Sequence, residues 1–359
     1  MMKRIVLILA LVGVGGMLVS CQNNCEQTIE PLAVTDSVRH DSEDPAIWIN
    51  KENPSKSLVL ATDKDKDGAL YVFDLEGRAI PQKNVSGLAR PNNVDVGYSF
   101  SLDGETIDIA VVTERLENRI RIFRLPDMTT IDNGGIPVFE RQEQNVPMGI
   151  ALYKKPSDGT MYAIVSRKQG PTDGTYLWQY LLEDSGKGYV TARKVRAFGK
   201  WSGHQEIEAV AVDNELGYVY YSDEGIGVRK YHADPYAPQA SRELALFATN
   251  GFAEDHEGIA IWKTGDTDGY IIVSDQGAGK LRIYTRHGKN ADDPHHHELI
   301  RMVKTSATGT DGIEAAADLV TADYPSGLLV VMSDDKTYHY YSLKDILGQQ
   351  RTPENCRTN

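Results

Sequence analysis

Short apolar runs of Val, Ile, Tyr and Ala, broken by Gly, Asp, Asn and Ser, recur along most of this chain. Such runs are too short and too β-branched for helical periodicity, and they predict strands joined by turns. The clearest pair is Ile207 to Val212 with Gly217 to Tyr231 (GYVYYSDEGIGVRKY), set against His256 to Ile261 with Gly269 to Tyr284 (GYIIVSDQGAGKLRIY). Weaker copies begin at Asp44, Asn93 and Pro147, and a sixth begins at Asp311. The spacing is roughly 50 to 60 residues, and a fixed period of strand, turn and strand is the signature of a repeat architecture. The pattern predicts an all-β chain, a six-bladed β-propeller of four-stranded blades over residues 40–348, with a β-sandwich as the other candidate.

Equivalent positions of successive blades form a ring around the propeller axis. At the start of each blade's first strand the repeats align Pro45, Val94, Met148, Glu208, Glu257 and Asp311. Two residues after a Ser or Thr that ends each second strand they align Lys64, Arg115, Lys168, Glu224, Gln276 and Asp335. Turn capping accounts for any one Ser-Asp or Thr-Asp pair. It gives no reason for the cations to fall in the first three repeats and for Glu208, Glu224, Asp255, Glu257 and Asp311 to fall in the others.

The first apolar run differs from the rest. Lys3 and Arg4 precede Ile5 to Val14, and small residues lead to Leu18-Val19-Ser20-Cys21. This predicts a signal peptide over 1–20, with Cys21 as the acylated first residue of an exported bacterial lipoprotein of the cell envelope. Residues 21–39 are then a linker and 349–359 a C-terminal tail. Losing Lys3 and Arg4 makes a formal charge of −13 still more acidic, which argues against a nucleic-acid partner. Cys25 and Cys356 remain, and in an oxidising compartment a bridge between them is open.

Carboxylates converging from several blades suit Ca²⁺, which takes six to eight oxygen ligands, better than zinc, which recruits His or Cys. Opposing Lys and Arg would hold phosphate oxygens, Arg115 in bidentate fashion. Metal-assisted attack of water on phosphorus then needs no Ser or Cys nucleophile. His295-His296-His297 stands outside the rings, and Asp63 to Gly68 lacks the terminal Glu of an EF-hand loop, so a hairpin turn is the better reading there. Lys64 keeps the repeat register, with Lys66 the alternative.

Glu43-Asp44-Pro45-Ala46-Ile47-Trp48, Asn92-Asn93-Val94-Asp95, Lys194 to Phe198, Asp255-His256-Glu257-Gly258 and Thr310-Asp311-Gly312-Ile313 together resemble the β-propeller phytases across nearly the whole mature chain. The resemblance implies calcium-dependent release of phosphate from phytate by a monomer. It implies Glu43, Asp44, Glu208, Glu224, Asp255, Glu257, Gln276 and Asp311 as ligands or supports for several calcium ions, with carbonyls from Pro45 and Val94. Lys64, Arg115, Lys168 and Glu224 become the catalytic group, the three cations holding phosphate. Met148 stands where the family usually has Tyr, and Gln169 where it has a carboxylate, departures that imply reduced activity. Two alternatives remain: a non-catalytic propeller that binds phosphorylated ligands or a surface partner, and a calcium-dependent sugar lactonase.

Overall fold

The structure, a computed structural model, describes residues 28–289 and 292–348. The expected signal peptide, Cys21, Cys25, Cys356 and the tail after residue 348 lie outside them. Among the described residues the strands form six sheets, each a blade of a β-propeller. Blade 1 runs outward from the axis through Ser42–Trp48, Leu58–Asp63, Gly68–Phe73 and Val85–Leu88. Blade 2 holds Pro91–Leu102, Glu105–Glu114, Arg119–Leu125 and Thr129–Thr130, with Ile136–Pro137 also on its third strand. Blade 3 holds Pro147–Lys154, Met161–Arg167, Leu177–Asp184 and Val190–Phe198. Blade 4 holds Val210–Asp213, Tyr218–Asp223, Gly227–His232 and Ala245–Phe247. Blade 5 holds His256–Lys263, Gly269–Asp275, Lys280–Thr285 and Leu299–Thr305.

Blade 6 has only Ile313–Ala316, Leu328–Ser333 and Thr337–Ser342 from its own repeat, and Ala33–Val34 supplies its outer strand. Thr28–Ile29 meanwhile pairs in parallel with Lys304 and Thr305 on the outer strand of blade 5. The stretch read from sequence as a linker therefore contributes to two blades, and the chain closes its circle by bringing its first strands to its last repeat.

The apolar core is divided. Six clusters of buried side chains each draw on two neighbouring blades, as Leu58 and Leu60 of blade 1 pack with Ala110 and Val112 of blade 2. Both faces of a blade are thus covered, which is why strands such as Leu328–Ser333 are buried at every residue. Leu329 and Val331 face blade 5 while Leu328, Val330 and Met332 face blade 1, the period-2 alternation of a strand serving two cores.

A ring of side-chain hydrogen bonds crosses the blade boundaries. The hydroxyls of Thr62, Thr113, Ser166, Ser222 and Ser274 end the second strands of blades 1 to 5, and they donate to the carbonyls of Asn92, Met148, Ile207, Glu257 and Thr310 of the following blade. Between blades 6 and 1 the sense reverses, and Ser42 donates to the Ser333 carbonyl at 2.6 Å. These hydroxyls, readable locally as turn caps, are clasps between blades. Thr113→Val keeps the shape but leaves the buried Met148 carbonyl without its donor, so we expect a loss of about 1–3 kcal/mol of stability in denaturant unfolding. A change within error of zero would show that the clasp contributes nothing.

Candidate functional site

The residues at the mouth of the axis are aimed there by irregular backbone. Register shifts interrupt the first ladder of four blades, between Ser42 and Pro45, Pro91 and Val94, Pro147 and Ile150, and His256 and Ile259. A bulge takes residues out of the ladder and re-aims their side chains. Those released are Glu43 and Asp44, Asn92 and Asn93, Met148 and Gly149, and Glu257 and Gly258. In blades 4 and 6 the first strand starts later, at Val210 and Ile313, so Glu208 and Asp311 precede it. Close approach of the blades explains Gly149, where a Cβ would stand 1.8 Å from the Glu208 carbonyl oxygen.

The two rings meet in this mouth. The Lys64 ammonium of blade 1 pairs with Glu43 and lies 3.5 Å from Asp311 of blade 6. Gln276 donates its amide to Asp311 at 2.6 Å. Arg115 donates through Nη1 to the side-chain Oδ1 of Asn92 at 2.9 Å, and the Asn92 side-chain Nδ2 in turn donates to Glu43 at 2.9 Å and to Glu208. One asparagine thus joins the cationic side to the acidic side. Lys168 reaches Glu206 of blade 4 at 2.5 Å, and the Glu206 amide donates to Glu224 at 3.1 Å. Carboxylate oxygens of Glu208, Glu224 and Glu257 all lie within 4.8 Å of one another. Below them the axis encloses a cavity of about 230 Å³ whose lining includes Asp44, Pro45 and Val94. The Asp44 carboxylate accepts from the Val94 amide at 3.0 Å.

Crowding carboxylates in a buried mouth raises their pKa values. Burial, then the neighbouring carboxylates Glu208, Glu206 and Asp255, push Glu224 up to about 8 although the Glu206 amide opposes the shift. Burial with Glu224, Glu208, Asp311 and Asp255 drives Glu257 far above the usual range. Burial does the same to Glu43, with Glu208 adding to it, and to Asp44, and it raises Asp311. Glu208 is the exception. Burial opposes its charge, but hydrogen bonds with Glu43 and Asn92 and the charges of Lys64 and Arg115 outweigh that and hold it low. Burial also opposes the Lys64 charge, yet Glu43, Glu208 and Asp311 hold that ammonium firmly protonated.

The atoms that converge from Glu208, Glu224 and Glu257 are carboxylate oxygens, and the buried Glu224 Oε1 has no hydrogen-bond partner among the described residues. Hard oxygen donors at this density fit Ca²⁺ and do not fit a metal that prefers nitrogen or sulfur. Glu208, Glu224 and Glu257 would hold one ion, with Asp255 close enough to repel Glu224 and Glu257. Asp44 lines the cavity along the axis together with Pro45 and Val94.

With these residues placed, similarity to known proteins becomes informative. The sequence matches the Phytase family over residues 3–342. It is 31% identical over 315 residues to the 3-phytase of Bacillus subtilis (strain 168), an overlap covering 85% of this chain and 77% of the relative. The chain belongs to the phytase family. Among solved structures it resembles the WD40 beta propeller domain of Doa1, at 10% identity and a TM-score of 0.48 over 83% of this chain and 78% of that one. It also resembles the Dos1 propeller, at 12% identity and a TM-score of 0.43 over 84% and 68%.

The mouth gathers Lys64, Arg115, Glu43, Glu208, Glu224, Glu257, Gln276 and Asp311, and Lys168 attaches to it through Glu206. Lys66 is exposed on the Asp63 to Gly68 hairpin turn, so Lys64 is the lysine at the mouth. Asp335 faces away and caps its own turn at Thr337. Met148 is buried, Gln169 is exposed, and neither brings a hydroxyl or a carboxylate to the cluster. His297 donates through Nδ1 to the Thr285 carbonyl at 2.7 Å and accepts at Nε2 from the Lys230 ammonium at 3.2 Å, its ring packed on Phe247, away from the mouth. Sequence reasoning missed Asn92 and Glu206 as site residues. Each stands two residues ahead of an aligned ring member, Val94 or Glu208, and Asn92 opens one of the motifs that carry the family resemblance.

A carboxyl whose folded pKa exceeds its unfolded value favours the folded state only while protonated. For Glu224 that window runs from 4.5 to about 8, and Glu257, Glu43, Asp44 and Asp311 shift in the same direction. In chelator, the calorimetric Tm should therefore fall as pH rises across that window, and Glu257→Gln should make the fall shallower. A Tm that is level or rising over the window would contradict this charge assignment.

Proposed function

We propose that this protein is a calcium-dependent phosphomonoesterase that releases phosphate from phytate, myo-inositol hexakisphosphate. The observation that carries the reading is the Asn92 junction, which sets phosphate-binding cations against a carboxylate cluster in one mouth. Family membership supports it, as does the relative named as a 3-phytase.

Within this reading each residue has a defined task. Arg115 is held at Nη1 by Asn92 while its Nε has no partner among the described residues, leaving donors for a phosphate oxygen. Lys64 and Lys168 enter as point charges, and substrate phosphate competes with Glu43, Asp311 and Glu206 for them. Glu208, Glu224 and Glu257, supported by Asp255, Gln276 and Asp311, hold calcium on the opposite side. Bound calcium supplies the positive charge that relieves these carboxylates, stabilises the developing charge on phosphate and makes water a better nucleophile. The phosphoryl group transfers to water, the P–O bond to the inositol breaks, and the leaving oxygen takes up a proton.

The same reading includes location. Leu18-Val19-Ser20-Cys21 supports export and acylation at Cys21, which leaves a monomeric catalytic domain at the cell envelope, attached to a membrane by its lipid alone.

Phosphate release from phytate by the purified chain, with calcium titrated and then chelated, tests the proposal. We expect activity that disappears with chelation, and Lys64→Ala and Arg115→Ala to lower kcat/KM by about 10²- to 10³-fold, the scale of losing one transition-state donor. Release that survives chelation would overturn calcium dependence. Tight phytate binding without release at any calcium level would favour a binding protein, and Met148→Tyr would then be the first restoration to try.

A further inference from the structure

We infer that the outer rim formed by blades 5 and 6 is a lipid-docking surface, which lies against the membrane that carries the acylated Cys21. The inference rests on the lipid-anchor reading above, and it goes beyond it by naming the face of the propeller that meets the bilayer.

Exposed apolar side chains concentrate there. Of the nine large apolar residues most exposed among the described residues, Leu299, Ile300 and Met302 lie on the outer strand of blade 5, and Leu32 and Val34 lie at the outer strand of blade 6. Each is 44–53% exposed. The remaining four, Leu116, Tyr236, Leu246 and Val320, lie apart on the loop after the second strand of blade 2, on a loop and the outer strand of blade 4, and on a loop of blade 6. Single exposed apolar residues are ordinary on a protein surface, whereas several gathered along one rim need an explanation.

The rim is also where the chain arrives. Thr28 and Ile29 pair with Lys304 and Thr305 of blade 5, and Ala33 and Val34 pair with Tyr340 and His339 of blade 6. The connecting residues thus join the two apolar edges. Between Cys21 and Thr28 there are seven residue steps, which even fully extended reach only roughly 25 Å. An acyl group at Cys21 inserted in a bilayer therefore keeps the start of this rim within that distance of the lipid surface. The far side of the propeller has no such constraint. The outer strand of blade 5 exposes Leu299, Ile300 and Met302 between Glu298 and Lys304, and apolar side chains tethered this closely have the lipid interface as their nearest apolar phase. The rim lies at right angles to the axial mouth, so docking leaves the site open to solvent along the membrane plane.

The test uses the full acylated chain in vesicles of phosphatidylethanolamine and phosphatidylglycerol containing brominated acyl chains, with the acyl mass on Cys21 verified. An environment-sensitive fluorophore is placed at Ile300→Cys, and at Tyr236→Cys as control, with Cys25 and Cys356 replaced by Ser. We expect blue-shifted emission at position 300 and at least about twofold stronger quenching by brominated lipid there than at position 236. Hydrogen exchange of the unsubstituted chain gives a second readout, with slower exchange for Leu299 to Met302 on vesicles than in lipid-free protein whose anchor has been cleaved. An acylated, vesicle-bound protein whose position 300 stays in water would overturn the docking surface and leave the anchor standing. Emission that shifts without lipid quenching would assign the rim to a second copy of the chain and also overturn it. Absence of acyl mass on Cys21 would overturn the anchor reading itself.

Discussion

The hydroxyl clasp between blades is the constraint on which the site depends. Five of the six clasps fix a carbonyl at the start of the next blade, and side chains of the site belong to those same few residues. Thr62 holds the Asn92 carbonyl while the Asn92 side chain bridges Arg115, Glu43 and Glu208. Ser222 holds the Glu257 carbonyl, and the Glu257 carboxylate joins the acidic cluster. A hydrogen bond that is worth only about 1 kcal/mol net for stability therefore decides side-chain direction at several points of the mouth. Ser42, which closes the ring onto Ser333, immediately precedes Glu43, so closure of the fold and placement of one acidic residue are the same local event.

The mouth is costly to maintain. Carboxylates gathered from blades 4, 5, 6 and 1 outnumber the cations that face them, and burial strengthens their repulsion as well as every attraction. Burial and mutual repulsion shift Glu224, Glu257, Glu43 and Asp44 toward the protonated form, while Lys64 and Arg115 favour the charged form of Glu208. In the proposed function, calcium and protons would compete for the same carboxylates, which would link metal binding to pH. The six inter-blade cores supply the rigidity that keeps such a cluster from relaxing apart.

Much of this could be read from the sequence because a propeller turns repetition into geometry. Aligning the repeats placed Lys64, Arg115, Glu208, Glu224, Glu257 and Asp311 at equivalent positions, and the structure brings them to one mouth. What escaped was what repetition does not encode. Asn92 and Glu206 have no counterparts in the aligned rings, and their roles depend on a bulge and on a loop whose directions are fixed only in three dimensions. The hydroxyl clasps resembled turn caps because their partners lie some 30 or more positions away, as Ser222 and Glu257 are. Ala33–Val34 gave no signal because two residues carry no periodicity, yet they complete a blade.

That short segment also bears on how the circle of blades is held closed. In a propeller closed by its N-terminal strand, pulling on the chain would tend to peel the closing strand away. Here Thr28–Ile29 lies along the outer strand of blade 5 before Ala33–Val34 joins blade 6, so a load from the N-terminal side meets the blade 5 pairing first. On the other side of the same strand, Arg301 donates to the Leu347 carbonyl of the helix Leu343–Leu347 that follows blade 6. Both ends of the described chain are therefore secured to blade 5, and the closing blade is held between them. The ring of clasps, and the mouth it shapes, is consequently insulated from the point at which the chain enters the fold.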